Sequence, residues 1–200
     1  MTHKNIILAS ASKIRIQLLQ SAGLKFDHTP ARVDETAVRA SLQAEGAKPR
    51  DVADTLAEFK ARKIAQRAPD ALIIGCDQVL ALKTDVLEKA ETLDQARNVL
   101  MRLRGMTHSL FSAAVVYEDG APIWRHVGVV RLSMRQFSDQ YLETYLDRNW
   151  PDVADAVGCY KLESEGVRLF SQVQGDYFDV LGLPLLPLLS YLTLRGDVDG

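Results

Sequence analysis

The chain has 200 residues, with 24 basic and 26 acidic side chains and a formal net charge of −2. Apolar residues make up 47% and charged residues 25% of the chain, which is the usual composition of a globular domain and excludes a disordered or low-complexity protein. This length predicts a single domain over residues 1–200, built as one unit or as two lobes around one cleft. The balanced charge gives no overall attraction to nucleic acid.

The hydrophobic pattern predicts an α/β fold with a mixed β-sheet flanked by helices. The expected order is strand, helix, strand, helix, strand, helix, two strands and a helix, followed by a strand-rich end with a final helix that Pro184 opens. The strands that can be bounded lie at about 5–9, 71–82, 110–117 and 123–132, and the helices at about 13–22, 50–67, 92–105 and 138–148.

The end of the first strand has the features of an anion-binding turn. Ser10 and Ser12 lead into a helix whose first turn carries Lys13 and Arg15. Cations at that position oppose the helix dipole, which is understandable if a phosphate binds to the turn. The alternative is an ordinary serine cap followed by two solvated basic residues.

Asp77 interrupts an otherwise apolar strand. A buried carboxylate is costly unless it is paired or binds a metal, so Asp77 either holds Mg²⁺ or activates water, or it caps a loop at the end of the strand. Asp34 and Glu35 form an acidic pair in what the pattern predicts to be a loop. Such a pair is usually solvent-exposed, and a metal-binding or general-base role is the alternative.

Other polar positions have two interpretations each. Lys60 and Lys63 share one helix face, where the default is a solvated surface. Lys89 is predicted to lie in a loop, and residues 160–166 form a polar run that suits a ligand-binding loop or an exposed hairpin. His108 is expected to be a hydrogen-bonded histidine at the start of a strand rather than a catalyst.

Several function classes are excluded by what the sequence lacks. Cys76 and Cys159 do not have zinc-site spacing and are expected to be buried, idle thiols. There is no Ser/His/Asp context for acyl transfer, no basic stripe with aromatic residues for nucleic acid, and no secretion signal or membrane-spanning run. We therefore expect a cytoplasmic protein that performs phosphoryl chemistry on a metal-bound nucleotide.

Six segments support a more specific hypothesis because they occur in a fixed order. They are ILASAS at 7–12 with Arg15 and Leu18–Leu19, VDE at 33–35, LAEFKA at 56–61, IGCDQV at 74–79, GMTHS at 105–109, and GD with VLGLPL at 175–185. Together these segments resemble the motifs of the Maf family of nucleoside triphosphate pyrophosphatases, over nearly the whole chain.

The resemblance implies hydrolysis between the α- and β-phosphates of a nucleoside triphosphate, in an elongated mixed α/β fold with a central nucleotide-binding cleft similar to that of inosine triphosphatases. It also implies a divalent cation, Mg²⁺ or Mn²⁺, and a homodimer. By the same resemblance Asp77 and Glu35 are catalytic and hold the metal. The triphosphate would be bound by Ser10, Ser12, Arg15, Lys60 and Lys89.

Three positions bear on the base. The family branch that acts on dTTP and UTP has Arg, Thr and Gln where this chain has Ile14, Gln78 and Glu163, and the 7-methyl-GTP branch has Trp, Gln and Glu. Two of the three positions agree with the second branch, so we expect a modified or non-standard purine triphosphate as substrate. The alternatives are a dTTP/UTP-type pyrophosphatase and a nucleotide-binding regulator of cell division with little turnover.

Overall fold

The computed structural model describes residues 4–199. Its seven strands are β1 (Ile6–Leu8), β2 (Asp27–His28), β3 (Leu72–Leu82), β4 (Asp85–Leu87), β5 (Thr107–Glu118), β6 (Ala121–Met134) and β7 (Phe170–Gln174). The α-helices are α1 (Lys13–Ser21), α2 (Glu35–Ala44), α3 (Pro49–Ala65), α4 (Leu93–Leu103), α5 (Asp139–Asn149), α6 (Tyr177–Val180) and α7 (Leu185–Arg195). Two 3-10 helices lie at Asp152–Asp155 and Glu165–Leu169. None of the helices in this part of the chain is long and apolar enough to cross a membrane.

The seven strands form one mixed sheet, as predicted from the sequence. Their order is β2-β1-β3-β5-β6-β7, and β4 pairs with β3 beside this path. β1 is parallel to both of its neighbours, whereas β3, β5, β6 and β7 pair antiparallel. Because β1 and β3 are parallel neighbours, the turn after β1 lies at the same edge of the sheet as the carboxyl half of β3.

Helix α3 packs very closely on one face of the sheet. Pro49 occupies the first turn, and Ala53, Ala57 and Ala61 recur every four residues on the buried side. Small side chains allow the helix to approach the strand beneath it, and Gly75 of β3 completes the contact, since a Cβ there would lie 2.7 Å from the Cβ of Ala61. This close approach places the part of α3 around Ala57 and Ala61 directly over the centre of β3.

The opposite face of the sheet carries two apolar clusters separated by a polar row. One cluster involves α1 and α7, and the other involves α4 and α5. Between them, Gln78 of β3 pairs with Ser112 of β5, which pairs with Gly128 of β6. The Gln78 amide nitrogen donates to Ser112 Oγ and to the carbonyl oxygens of Asp179 and Val180 at 2.9–3.0 Å. The polar row therefore fixes the end of α6 against the sheet.

Two sequence predictions about local structure were wrong. Residues 34–35 are not in a loop: the Asp34 side chain accepts a hydrogen bond from the Ala37 amide and caps α2. This helix buries none of its residues fully, and its Val38 and Leu42 pack partly buried against the core. The C-terminal part is not strand-rich, since it contains β7 with two α-helices. The polar run at 160–166 forms turns and the start of a 3-10 helix, so of its two interpretations the hairpin is wrong.

Two predictions about buried polar residues are confirmed. His108 at the start of β5 is buried and lies 2.7 Å from the Tyr160 hydroxyl, through Nε2. Burial lowers the pKa of His108 to about 4, so its ring is neutral at physiological pH. Cys76 and Cys159 are free, buried thiols, and burial raises the pKa of each to about 11.

Asp179 is a buried carboxylate with an unusual environment. It is 7% exposed, its Oδ1 has no hydrogen-bond partner in the described chain, and a Cβ at Gly128 would overlap its carboxylate oxygens. Burial, together with the nearby carboxylate of Asp176, raises the pKa of Asp179 from 3.8 to about 6. At neutral pH the Asp179 carboxylate is therefore charged in the folded protein, although its burial and the nearby Asp176 disfavour that charge.

We expect Asp179→Asn to stabilise the protein in a pH-dependent way. As the pH rises from about 4 to about 6, the unfolded chain ionises this carboxyl group before the folded chain does, so the wild type loses stability that the variant keeps. Urea denaturation should show a gain of about 1–2 kcal/mol at pH 7.5 and little gain at pH 4. The exposed Asp70→Asn should show no such trend, and an equal Asp179→Asn effect at both pH values would contradict the explanation.

Candidate active site

A cleft of about 300 Å³ opens where α1, α2, α3 and β3 meet the segment that follows α5. Nine of the ten site residues predicted from the sequence line it: Ser12, Ile14, Arg15, Glu35, Lys60, Asp77, Gln78, Lys89 and Glu163. Ser10 is not part of the lining; it is buried, and its Oγ accepts a hydrogen bond from the Ser12 amide at 3.2 Å. Ser10 thus shapes the turn after β1, beneath the cleft.

An ion cluster forms the floor of the cleft. Lys60 Nζ lies 2.5 Å from Asp77 Oδ1 and 2.7 Å from Glu35 Oε1. Lys60 and Asp77 are only 8% and 3% exposed. The prediction of a solvated face for Lys60 was therefore wrong, because the alanine side of α3 lies flat on the sheet and turns this residue inward. Lys63, three residues later, is half-buried and donates to the carbonyl oxygen of Arg32.

The cluster shifts the pKa values of Glu35 and Lys89. Burial raises the pKa of Glu35, but the Lys60 ammonium, together with the Arg39 and Lys89 cations, outweighs it and leaves the pKa below its ordinary value. The pKa of Lys89 is lowered, first by burial and then by the Arg15 and Lys60 cations, while Glu35 and Asp77 act in the opposite direction. Lys89 lies in a loop, as predicted, and close enough to the floor of the cleft to be influenced by its charges.

Asp77 keeps one oxygen available. Its Oδ1 pairs with Lys60, whereas its Oδ2 is buried and makes no hydrogen bond within residues 4–199. A buried carboxylate oxygen without a donor is costly in the absence of a ligand. Asp77 lies within β3 and not at its end, so the loop-capping alternative for this residue is wrong.

The polar groups of the cleft differ in how far the protein itself uses them. Ser12 occupies the N-cap position of α1 without a side-chain capping bond, so the first-turn amides remain open to an anion. Arg15 is partly committed, since its Nε and Nη1 donate to the carbonyl oxygens of Gly182 and Cys76 at 2.7 and 3.2 Å. The Gln78 amide nitrogen donates to backbone carbonyl oxygens, which leaves Gln78 Oε1 and the Glu163 carboxylate as hydrogen-bond acceptors.

Sequence reasoning missed Arg39. This residue follows Glu35 by one turn of α2, lines the cleft and donates to Glu35 Oε2 at 3.2 Å. The spacing Glu35–Arg39 is that of an i,i+4 pair and would have been informative if the helix had been predicted. Sequence reasoning also missed Lys161, which pairs with Asp152 and Asp155 at the rim.

Comparison with known proteins assigns the chain to a family. Residues 5–194 match the model of the Maf-like proteins. The chain belongs to the Maf family. A relative from Roseobacter denitrificans, named nucleoside triphosphate pyrophosphatase, is 56% identical to this Maf chain over 193 residues, which cover 96% of the chain and 97% of the relative.

Two further relatives of this Maf protein cover it nearly completely. One from Ruegeria sp. (strain TM1040), also named nucleoside triphosphate pyrophosphatase, is 53% identical over 195 residues, or 98% of each chain. One from Mesorhizobium japonicum, named 7-methyl-GTP pyrophosphatase, is 46% identical over 200 residues and the full length of both chains. The family predicted from the six ordered motifs is therefore confirmed.

We expect Lys60→Met to destabilise the protein by about 3 kcal/mol at pH 7, because it leaves two partly or fully buried carboxylates without their shared cation. The double variant Lys60→Met/Asp77→Asn should lose less, since one unpaired charge is also removed. Urea denaturation in EDTA measures both. Lys63→Met is the control, because the Lys63 ammonium contacts the Arg32 carbonyl oxygen instead of the ion cluster. A loss below about 0.5 kcal/mol for Lys60→Met would show that the ion cluster does not support the fold.

Proposed function

We propose that this protein hydrolyses the bond between the α- and β-phosphates of a nucleoside triphosphate and releases the nucleoside monophosphate and pyrophosphate. The observation that carries the proposal is the buried Asp77 carboxylate, which Lys60 holds on the floor of a cleft while its Oδ2 accepts no hydrogen bond from the described residues. The names of the full-length relatives support the same reaction.

The cleft suits a triphosphate because cations and free amides surround the carboxylates. The cleft is lined by the cations Lys60, Lys89 and Arg15 and by the N-cap residue Ser12. These groups can neutralise or hydrogen-bond the oxygens of a triphosphate. Positioning and charge neutralisation provide most of the catalysis in phosphoryl transfer. Asp77 Oδ2 is placed to accept a proton from the attacking water, and Lys60 keeps the Asp77 side chain in one orientation.

The carboxylates fit a divalent cation. Asp77 Oδ2 has no donor, and Glu35 Oε1 and Oε2 face Lys60 and Arg39 beside it. Residues 4–199 hold no group of three or more His, Cys, Asp or Glu side chains that could bind a metal by themselves. Mg²⁺ is commonly bound by one or two carboxylates and completed by phosphate and water, so we propose that Asp77 and Glu35 hold Mg²⁺ or Mn²⁺. The ion would supply positive charge that stabilises the negative charge on the phosphate oxygens and on the leaving group.

Gln78 and Glu163, which we propose to contact the base, support a guanine-type substrate. Gln78 Oε1 and the Glu163 carboxylate are both acceptors, and the guanine edge offers two neighbouring donors, N1–H and the 2-amino group. Uracil and thymine offer one donor, N3–H, between two acceptor oxygens that a carboxylate repels. Ile14 provides an apolar wall but no cation–π contact for a methylated base. We therefore propose a modified or non-standard purine triphosphate as substrate.

We also propose that this enzyme is cytoplasmic and forms a homodimer. Two free, buried cysteines suit a reducing compartment, and together with a nucleotide substrate they support a cytoplasmic enzyme. The resemblance to the family supports a homodimer, which light scattering of the purified protein would test. The overall charge of −2 supports a protein that does not bind nucleic acid.

One assay tests the reaction and the metal together. Purified protein is incubated with a panel of normal and modified triphosphates, and pyrophosphate and orthophosphate are measured separately with Mg²⁺, with Mn²⁺ and with EDTA. Pyrophosphate release that depends on the metal supports the proposal. Tight nucleotide binding without release would instead favour the regulator of cell division.

We expect Asp77→Asn to lower kcat by roughly 100-fold or more, because the amide can neither accept the proton of the attacking water nor hold the metal as an anion. Lys60 keeps Glu35 as a partner in the variant, so the fold should persist in a thermal unfolding scan. Asp85→Asn, at an exposed position of β4, is the control. A variant that retains at least half of the wild-type kcat would remove Asp77 from the mechanism.

We expect Glu163→Gln to change substrate preference more than maximal rate, because in our proposal Glu163 contacts the base and not the phosphates. Losing one charge-assisted hydrogen bond should shift the ratio of kcat/KM between guanine and pyrimidine triphosphates by roughly 10- to 150-fold. Glu165→Gln removes the same charge two residues away, outside the cleft lining. An equal loss with every substrate would show that Glu163 serves the phosphates or the fold.

A further inference from the structure

Arg39 lies beside the two carboxylates of the proposed catalytic centre, and no motif in the sequence gave it a role. Its Nη2 is 3.2 Å from Glu35 Oε2 and 3.9 Å from Asp77 Oδ2. The side chain is 11% exposed and lines the cleft. An arginine is thus held at the point where the phosphates of a substrate would meet Asp77.

Most of the hydrogen-bonding capacity of Arg39 is unused. A guanidinium carries five N–H donors, and among the described residues only Glu35 accepts from Arg39. The Nε atom of Arg39 is buried and has no partner in the described chain. Arg15 differs, because its Nε and Nη1 already donate to backbone carbonyl oxygens. Of the two arginines, Arg39 has the more open donor set, and the guanidinium fork matches two phosphate oxygens.

The charges of the cluster allow Arg39 to change partners. Glu35 and Asp77 are balanced by Lys60 and Arg39 in the ligand-free protein. If Arg39 turns toward a polyanion in the cleft, Glu35 keeps Lys60 at 2.7 Å as its cation. Rotation of Arg39 therefore leaves no carboxylate without a counter-charge, whereas moving Lys60 would leave Asp77 without its closest one.

We propose that Arg39 is a substrate-binding residue that donates from Nε and a terminal nitrogen to oxygens of the triphosphate. This assignment rests on the proposed function, because it takes the cleft to be a triphosphate site. It makes α2, which the sequence did not reveal, a source of phosphate contacts in addition to α1 and α3.

Calorimetry with inorganic tripolyphosphate in EDTA tests the contact without the base, the metal or turnover. We expect Arg39→Gln to weaken tripolyphosphate binding by roughly 10- to 100-fold, as for the loss of charge-assisted hydrogen bonds. Arg39→Lys, which keeps the charge but not the fork, should recover part of the loss. Binding of guanosine should be unchanged in both variants, and KM for the triphosphate should rise more than kcat falls.

Arg102→Gln is the control, because Arg102 is half exposed on α4 and pairs with Asp85 outside the cleft lining. Tripolyphosphate affinity within about twofold of wild type in Arg39→Gln would overturn the assignment. If Arg39→Gln does not fold, Arg39→Lys decides: undiminished affinity overturns the assignment and several-fold weaker affinity supports it. Wild-type protein that binds tripolyphosphate but releases no pyrophosphate would overturn the proposed hydrolysis and leave the role of Arg39 standing.

Discussion

The contact between Lys60 and Asp77 is the interaction on which the rest of the site depends. A carboxylate in the middle of a central strand is unfavourable unless a cation reaches it, and Lys60 does so from α3 at 2.5 Å. The same ammonium binds Glu35 at 2.7 Å and so ties α2 to the floor of the cleft. One buried lysine thus joins three elements and holds Asp77 by Oδ1, with Oδ2 left without a hydrogen bond from the described residues. Because the pair is shielded from water, its geometry is fixed before any ligand arrives.

Close packing on one face of the sheet and a polar row on the other place this pair at the base of a cleft. Gly75 lets α3 approach β3 closely enough for Lys60 to reach Asp77. On the other face, Gln78 and Ser112 separate two apolar clusters and hold the carbonyl group of Asp179. Adjacent residues of β3 point to opposite faces, so Asp77 joins the ion cluster while Gln78 joins the polar row. The division between phosphate and base recognition that we propose would follow from this alternation.

Much of the fold could be predicted from local patterns. The helices around 92–105 and 138–148 have side-chain caps, and the structure places them, the long strands and the helix around 50–67 within a few residues of the expected positions. Helix α2 was not predicted from the sequence; its apolar side is short, with Val38 and Leu42 only partly buried against the core and no residue fully buried. Because α2 was not predicted, the i,i+4 spacing of Glu35 and Arg39 was not recognised, and Arg39 was not identified as a cation of the cleft.

By itself, the sequence determined the family, the α/β class and nine residues of the cleft lining, because six motifs in fixed order carry that information through residue types and spacing. The tertiary structure alone decided how those residues are used. Burial of Lys60, the commitment of Arg15 and of the Gln78 amide to backbone carbonyls, and the free Oδ2 of Asp77 all arise from contacts between segments distant in the chain. The sequence gives the side chains and their spacing. The contacts that each side chain makes depend on how closely α3 packs on the sheet and on where the segment 180–182 after α6 lies.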